Sequence, residues 1–363
     1  MLPSRHPLPL PNLPRSQTPT REHPVAEMTN VAERNATTGP VRGVGELQHS
    51  FRAMGSPVTV RVVDPTPGAD AAVAAVEQYF RDVERECTRF DDQSDLMRAN
   101  AAGSDWAAVG PHCWRAIYAA YDAYRETEGA FDPRVLTSLV GLGYSAGDTF
   151  GTGPVQVADA ESPTPVRTTW TPSFDEDASL VRVGNLPLDL GGIGKGLAVR
   201  GAREILREAQ AGRAMLVEAG GDLATVGDGP HREPGEARAW RVAVESPLGD
   251  SGSAAVLDAS DAAVATSSIR LRSWKAGGRD VHHLIDPSTG EPAQGGIASV
   301  TVVADDPAWA EVWTKVIFLQ GSARAEGFVE RCGLAALWID VDGTVRVSGA
   351  MAPRVLWKVP HVQ

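Results

Sequence analysis

Cysteine is scarce in this chain, and its three residues, Cys87, Cys113 and Cys332, lie far apart with no C-x-x-C spacing. That pattern excludes a cysteine zinc site and a disulfide framework, and fits reduced thiols. Positive charge is also in short supply. The formal net charge is −12, so the chain lacks the clustered Lys and Arg with which a protein tracks a phosphate backbone, and nucleic acid is not expected as its main partner. No apolar run is long enough to cross a membrane. Leu8 to Leu13 is broken by prolines and no cysteine follows that could take a lipid, so neither a secretory signal nor a lipoprotein signal is read there, and a cytoplasmic location is expected.

What is present is enough for a sizeable core. The 363 residues are 42% hydrophobic, which allows one large domain or two smaller ones. Seven prolines precede Val25, and residues 1–47 have little apolar periodicity, so they read as a disordered arm. Beyond them Val58 to Val63 alternates with strand period. Val73, Val76, Phe80, Val83 and Cys87 recur at spacings of three and four, the mark of an amphipathic helix. Trp114 to Arg125 and Leu197 to Ala209 read as further helices. Leu180 to Val183, Met215 to Val217, Trp240 to Glu245, Ala263 to Thr266 and Ser299 to Ala304 read as strands. Asp342-Gly343 between two apolar runs signals a type I′ hairpin. Residues 146–177 and 228–237 are rich in turn formers and read as surface insertions. Strands and helices mix without a regular βαβ alternation, so the fold class is α+β.

The densest chemical signal is Leu188-Asp189-Leu190-Gly191-Gly192-Ile193-Gly194-Lys195-Gly196. Four glycines and a lysine ahead of a helix can bring backbone N–H groups, the positive end of the helix dipole and a full charge to a phosphate. It is not a Walker A loop, because Asp189 stands where that motif needs its first glycine and Gly196 where it needs Ser or Thr. A glycine-rich turn serves equally well as a packing device, and both readings stay open.

Other blocks follow in order: Phe51-Arg52-Ala53-Met54-Gly55-Ser56, Ser94-Asp95-Leu96 with Asn100, Gly129-Ala130-Phe131-Asp132-Pro133, Glu218-Ala219-Gly220-Gly221-Asp222, Ala265-Thr266-Ser267-Ser268, His282-His283-Leu284-Ile285-Asp286-Pro287 and Ala310-Glu311. Each block is weak alone. Their order and spacing over residues 48–330 resemble the ApbE family, the FAD:protein FMN transferases, with 331–363 as a hairpin and tail completing the domain.

The resemblance implies a two-lobed α+β fold with the flavin in a cleft between lobes. It further implies transfer of the FMN moiety of FAD to a Ser or Thr hydroxyl of an acceptor protein, with release of AMP. The cofactor-binding positions it implies are Met54, Ala130, Phe131, Asp132, Asp189, Lys195, Asp222, Thr266 and His283. His283 is the candidate base, because imidazole titrates near neutral pH; a structural histidine ahead of a turn is the alternative. His282 is expected on the opposite side of its strand.

Two departures from the family pattern matter. Arg134 stands where threonine is usual, and either a phosphate contact or a surface position would suit it. In the segment Ala310-Glu311-Val312-Trp313-Thr314-Lys315, an acid and a threonine would ligate Mg²⁺ together with the Gly194 carbonyl. The acid is Glu311, but Lys315 replaces the threonine, and Thr314 lies about 100° away around a helix. Lys315 then either forms an i,i+4 pair with Glu311 or brings its charge to a pyrophosphate.

Two other functions remain. One is a flavoprotein that holds FAD without transferring it; the other is a hydrolase using Ser267 or Ser268 with His283 and Asp286, although no Gly-x-Ser-x-Gly elbow surrounds those serines. Self-modification at Ser348-Gly349-Ala350-Met351 is not expected, because methionine ends the segment where an acceptor threonine would be needed.

Overall fold

A nine-stranded sheet, antiparallel throughout, organises the molecule. The computed structural model describes residues 41–43, 45–144, 156–157, 165–230, 238–249, 252–270 and 272–362. In spatial order the sheet runs β1 (Val41–Gly43), β2 (Glu46–Ala53), β3 (Ser56–Val63), β8 (Ala214–Ala219), β9 (Asp222–Val226), β12 (Ala263–Ser268), β15 (Ile297–Ala304), β16 (Ala335–Asp340) and β17 (Val345–Val347). Its two halves meet where β9 pairs with β12 through only two residue pairs, Ala263 with Ala224 and Val264 with Leu223. Past Val264, β12 continues along β15 alone. The seam between the halves therefore opens at Asp222 and Thr266.

Alternation along each strand builds two cores. In β8, Met215 and Val217 face the helices, whereas Ala214 and Leu216 face the opposite side. The helical side carries α1 (Ala69–Cys87), α2 (Asp95–Ala102), α3 (Pro111–Glu126), α5 (Gly194–Glu208) and α6 (Pro307–Gln320). The other side is covered by a small sheet of β10 (Arg241–Glu245), β11 (Ser253–Asp258) and β18 (Val355–Lys358). Helix α7 (Ser322–Cys332) closes a third cluster with α6 and β16. Helix α4 (Leu136–Gly141) packs on a sheet of β13 (Ser273–Ala276), β14 (Arg279–His282) and β5 (Gln156–Val157). The short strands β4 (Ala107–Ala108), β6 (Ser173–Asp175) and β7 (Leu180–Arg182) make the last sheet. Antiparallel strands with helices gathered on one face make the fold α+β. No described helix is long and apolar enough to cross a membrane.

The helices follow their sequence signals. In α1, Val73, Val76, Phe80 and Val83 form the buried stripe. Ser94 caps α2 by accepting the Met97 N–H at 3.1 Å, and Asp306 caps α6 by accepting from Ala308 and Trp309. α6 is apolar nearly all round because it lies between the sheet, α5 and α7.

Four expectations change. The arm expected to reach residue 47 is ordered where it can be described: Val41–Gly43 pairs with β2, which begins at Glu46, and residues 1–40 lie outside the described residues. The helix read from Leu197 starts at Gly194. Of the insertion at 146–177, most of the first part lies outside the described residues, while Trp170 is buried in the main core. The Asp342-Gly343 turn is not type I′. The Asp340 N–H donates to Thr344 O at 3.0 Å and Gly343 N–H to Asp340 O at 2.9 Å, which leaves a three-residue loop. Only Gly343 has a positive φ, 90°, the geometry of a type I turn with a G1 bulge. A type I′ turn occurs instead at Met54-Gly55, with φ of 54° and 66°, between β2 and β3.

Candidate functional site

The seam of the sheet and the start of α5 face each other, and charged side chains fill the space between them. Lys195, in the first turn of α5, bonds Asp222 Oδ2 at the start of β9 and Glu311 Oε1 on α6, the latter at 2.7 Å. Glu311 Oε2 accepts the Gly196 N–H at 2.7 Å. Lys315, one helical turn after Glu311, approaches the same Oε1 at 3.2 Å. Asp222 Oδ1 takes the Thr266 N–H at 3.1 Å, tying β9 to β12 where they have ceased to pair. The Thr266 hydroxyl bonds that of Thr301 at 2.9 Å.

Electrostatics fixes the protonation of this cluster. Burial works against the charged forms of Lys195, Glu311 and Lys315. For Lys195 the carboxylates of Asp222 and Glu311 outweigh it and raise the ammonium above its ordinary value. For Glu311 the two ammonium groups outweigh it and hold the carboxyl at about 2. Lys315 goes the other way: burial lowers it, with only partial relief from Glu311.

The glycine turn divides into parts with different jobs. None of Gly191, Gly192, Gly194 and Gly196 has a positive φ, so space, and not backbone freedom, is what they supply. A Cβ on Gly196 would lie 2.6 Å from Ala308 Cα and Pro307 O, and one on Gly192 would lie 2.9 Å from the Phe131 ring. These two let α6 and Phe131 come close. Gly194 is roomier, its nearest neighbour being Met54 Cε at 3.6 Å. The positive end of α5 is met by Glu311, the chain's own carboxylate. Packing therefore accounts for part of a glycine pattern that also reads as a phosphate cradle.

The remaining expected residues surround that turn. Met54 sits at positive φ, a conformation costing about 1–2 kcal/mol for a residue with a Cβ, and its N–H is held by Glu84 Oε1 at 2.7 Å. Asp189 is committed to the turn itself: Oδ1 accepts the Gly191 N–H at 2.8 Å, and Oδ2 pairs with Arg89 at 2.8 Å. The Asp189 N–H donates to Pro133 O at 2.7 Å, which joins the turn to Ala130-Phe131-Asp132. Asp132 and Arg134 form a buried bidentate pair, Nε to Oδ1 at 3.0 Å and Nη2 to Oδ2 at 2.7 Å. Arg134 lies over Tyr124 and Trp170. It is thus neither a surface residue nor a phosphate ligand, and Asp132 is its partner.

His283 follows β14, half-buried, with Nδ1 3.3 Å from Arg272 O. Burial, then the positive charges of Arg272 and Lys315, push its imidazole well below the ordinary value, so it is neutral at pH 7. His282 faces the core, with Nε2 3.0 Å from Ala293 O and its ring against Phe318. Arg272 had no motif to announce it. It reaches the cluster because β13 and β14 bring it alongside His283.

The hydrolase set is not assembled. Ser267 is buried and bonded to Thr314 at 2.6 Å, and Asp286 Oδ1 accepts from Ser288 N and Oγ. Nor do the donors suit Mg²⁺ at Glu311 and Gly194. A hard cation wants about six oxygens, whereas Glu311 and Asp222 are filled by ammonium and backbone N–H donors, and Thr314 points away into the core. Among the described residues no group of three or more His, Cys, Asp or Glu is placed to hold a metal ion.

An antiparallel sheet backed by helices, with a lysine–carboxylate cluster at its seam, defines an α+β protein with a charged site between two halves of one sheet. The chain belongs to the ApbE family, whose model matches residues 54–338. It is similar to the FAD:protein FMN transferase of Salmonella typhimurium, with 28% identity over 262 residues covering 70% of this chain and 72% of that protein. The ApbE protein of Thermotoga maritima superposes with a TM-score of 0.70 at 25% identity, over 85% of this chain and 98% of that one. The apo flavinyl transferase ApbE of Pseudomonas stutzeri gives 0.68 at 22% identity, over 86% and 97%.

Proposed function

We infer that this chain transfers the FMN moiety of FAD to a hydroxyl of an acceptor protein. Family membership supports the reaction, and one observation supports its location: Lys195, Asp222, Thr266 and Glu311, drawn from two strands and two helices far apart in sequence, converge at the seam beside a neutral His283.

The chemistry follows from what each group can do. A Ser or Thr hydroxyl of the acceptor attacks the FMN-side phosphorus of FAD. A P–O bond to the acceptor forms, the bond to the bridging oxygen breaks, and AMP leaves. His283, neutral and half-buried, takes the hydroxyl proton. Lys195 supplies positive charge to the pyrophosphate, and Asp222 and Glu311 hold its side chain in place. Thr266 is fixed by Asp222 and Thr301 and shapes the floor of the seam. Met54 and Phe131 pack at the start of α5 and carry the apolar contact that a flavin needs, while Asp132 and Asp189 hold the surrounding loops. The resident Mg²⁺ implied by the resemblance has no step here, because the donors at Glu311 do not fit it.

Mixing the protein with FAD and an FMN-binding acceptor domain tests this reading. Release of AMP with flavin retained on the denatured acceptor is the expected result. FAD bound intact with no AMP, in the presence of an acceptor known to be competent, overturns it in favour of a flavoprotein that binds without transferring.

A further inference from the structure

Glu311 is fully buried and receives two ammonium groups on one oxygen and a backbone N–H on the other. An exposed i,i+4 pair of Glu and Lys contributes about 0.2–0.5 kcal/mol and asks nothing of its surroundings. Lys315 is not in that position. Its side chain retains 17% exposure and its partner none, so it carries a desolvation cost that an exposed pair does not.

Charge shows what that lysine does. Without Lys315 the cluster would hold two carboxylates, Asp222 and Glu311, against the single ammonium of Lys195. That leaves one net negative charge at the helix start, a setting that draws a cation. With Lys315 the four groups balance, and a divalent cation would have to displace ammonium groups already bonded to the carboxylates. Arg272 adds a further positive charge facing the cluster, felt by Lys195 and by His283. An ammonium has three donors. Lys195 directs two of them to Asp222 and Glu311, while Lys315 has Glu311 as its partner among the described residues. Lys315 therefore keeps two donors for the oxygens of an arriving diphosphate, and its exposed fraction gives them access.

We propose that this chain neutralises the FAD pyrophosphate with the fixed ammonium of Lys315, beside Lys195, in place of a divalent cation, so that FAD binding requires no metal. The inference rests on the FAD-binding reading above and adds the identity of the counter-charge. Lysine acts here as a point charge on phosphate, a role that needs no octahedral oxygen shell.

The test is titration of the full-length protein with FAD, followed by flavin fluorescence, in EDTA and in Mg²⁺. The wild type should bind with Kd values within about threefold of each other in the two buffers, whereas Lys315→Met in EDTA should bind about tenfold or more weakly, the scale of a lost charge-assisted hydrogen bond. Lys315→Arg should stay near wild type, and thermal melting of each variant separates loss of binding from loss of fold. Wild-type binding that collapses in EDTA and returns with Mg²⁺ overturns the proposal, and so does a folded Lys315→Met that binds like wild type in EDTA. Either result leaves the FAD site standing. Absence of FAD binding by the wild type in both buffers overturns the site reading and this proposal together.

Discussion

Glu311 Oε2 accepts the Gly196 backbone N–H at 2.7 Å, so the acid that neutralises Lys195 also holds α6 against the first turn of α5. One carboxylate thus sets both the charge and the spacing of the site. Glu311→Gln should remove that charge while leaving two buried ammonium groups poorly paired, at a cost of about 3–5 kcal/mol in urea unfolding. The pH dependence has a definite sign. The Glu311 carboxyl is held at about 2 against an ordinary 4.5. Its stabilisation is fully present above the unfolded value and is lost as pH falls from there toward about 2. The stability difference between wild type and Glu311→Gln should be flat from pH 4.5 up to the range where Lys195 and Lys315, no longer supported by the Glu311 charge, begin to titrate, and should shrink below pH 4.5.

Spacing can be tested apart from charge. Gly196→Ala places a methyl 2.6 Å from the backbone of Pro307 and Ala308, which cannot move aside as a side-chain tip would. A loss of about 1–3 kcal/mol is expected from overpacking. Gly194→Ala meets only Met54 Cε at 3.6 Å and should be tolerated. Equal effects of the two substitutions in urea unfolding would show that close approach of α6 is not what Gly196 provides.

His283 should separate binding from chemistry. His283→Ala is expected to leave FAD affinity nearly unchanged and to slow transfer by about 10²–10⁴-fold, the usual worth of a general base. Because burial, Arg272 and Lys315 depress its imidazole below 6.5, the neutral base persists as pH falls through 6.5. The acid limb of the wild-type pH–rate profile should therefore lie below that value. A limb at or above 6.5, or a normal rate in His283→Ala, would assign the base elsewhere.

The parts legible in the sequence were those fixed by local pattern. Val73, Val76, Phe80 and Val83 needed only their spacing to declare α1, and β-branched alternation declared β3. Turns were less decisive, because Asp342-Gly343 suits both a two-residue and a three-residue hairpin, and the pairing of Asp340 with Thr344 decides between them. The start of α5 was read late because glycines obscure a helix whose first turn is supported by Glu311 from outside. Arg134 was open between a phosphate contact and a surface position because only the fold brings α3, with Tyr124, and the segment of Trp170 over its guanidinium. Lys315 was visible as a departure in the pattern, but only the fold places its ammonium on the carboxylate that Lys195 already holds.

The central claim is a covalent transfer, and the intact mass of the acceptor measures it most directly. After incubation with this protein and FAD, the acceptor should be heavier by one FMN less one water, as a phosphoester requires, with one AMP released for each acceptor modified. An acceptor of unchanged mass, whether FAD stays intact or AMP appears without it, would contradict the account.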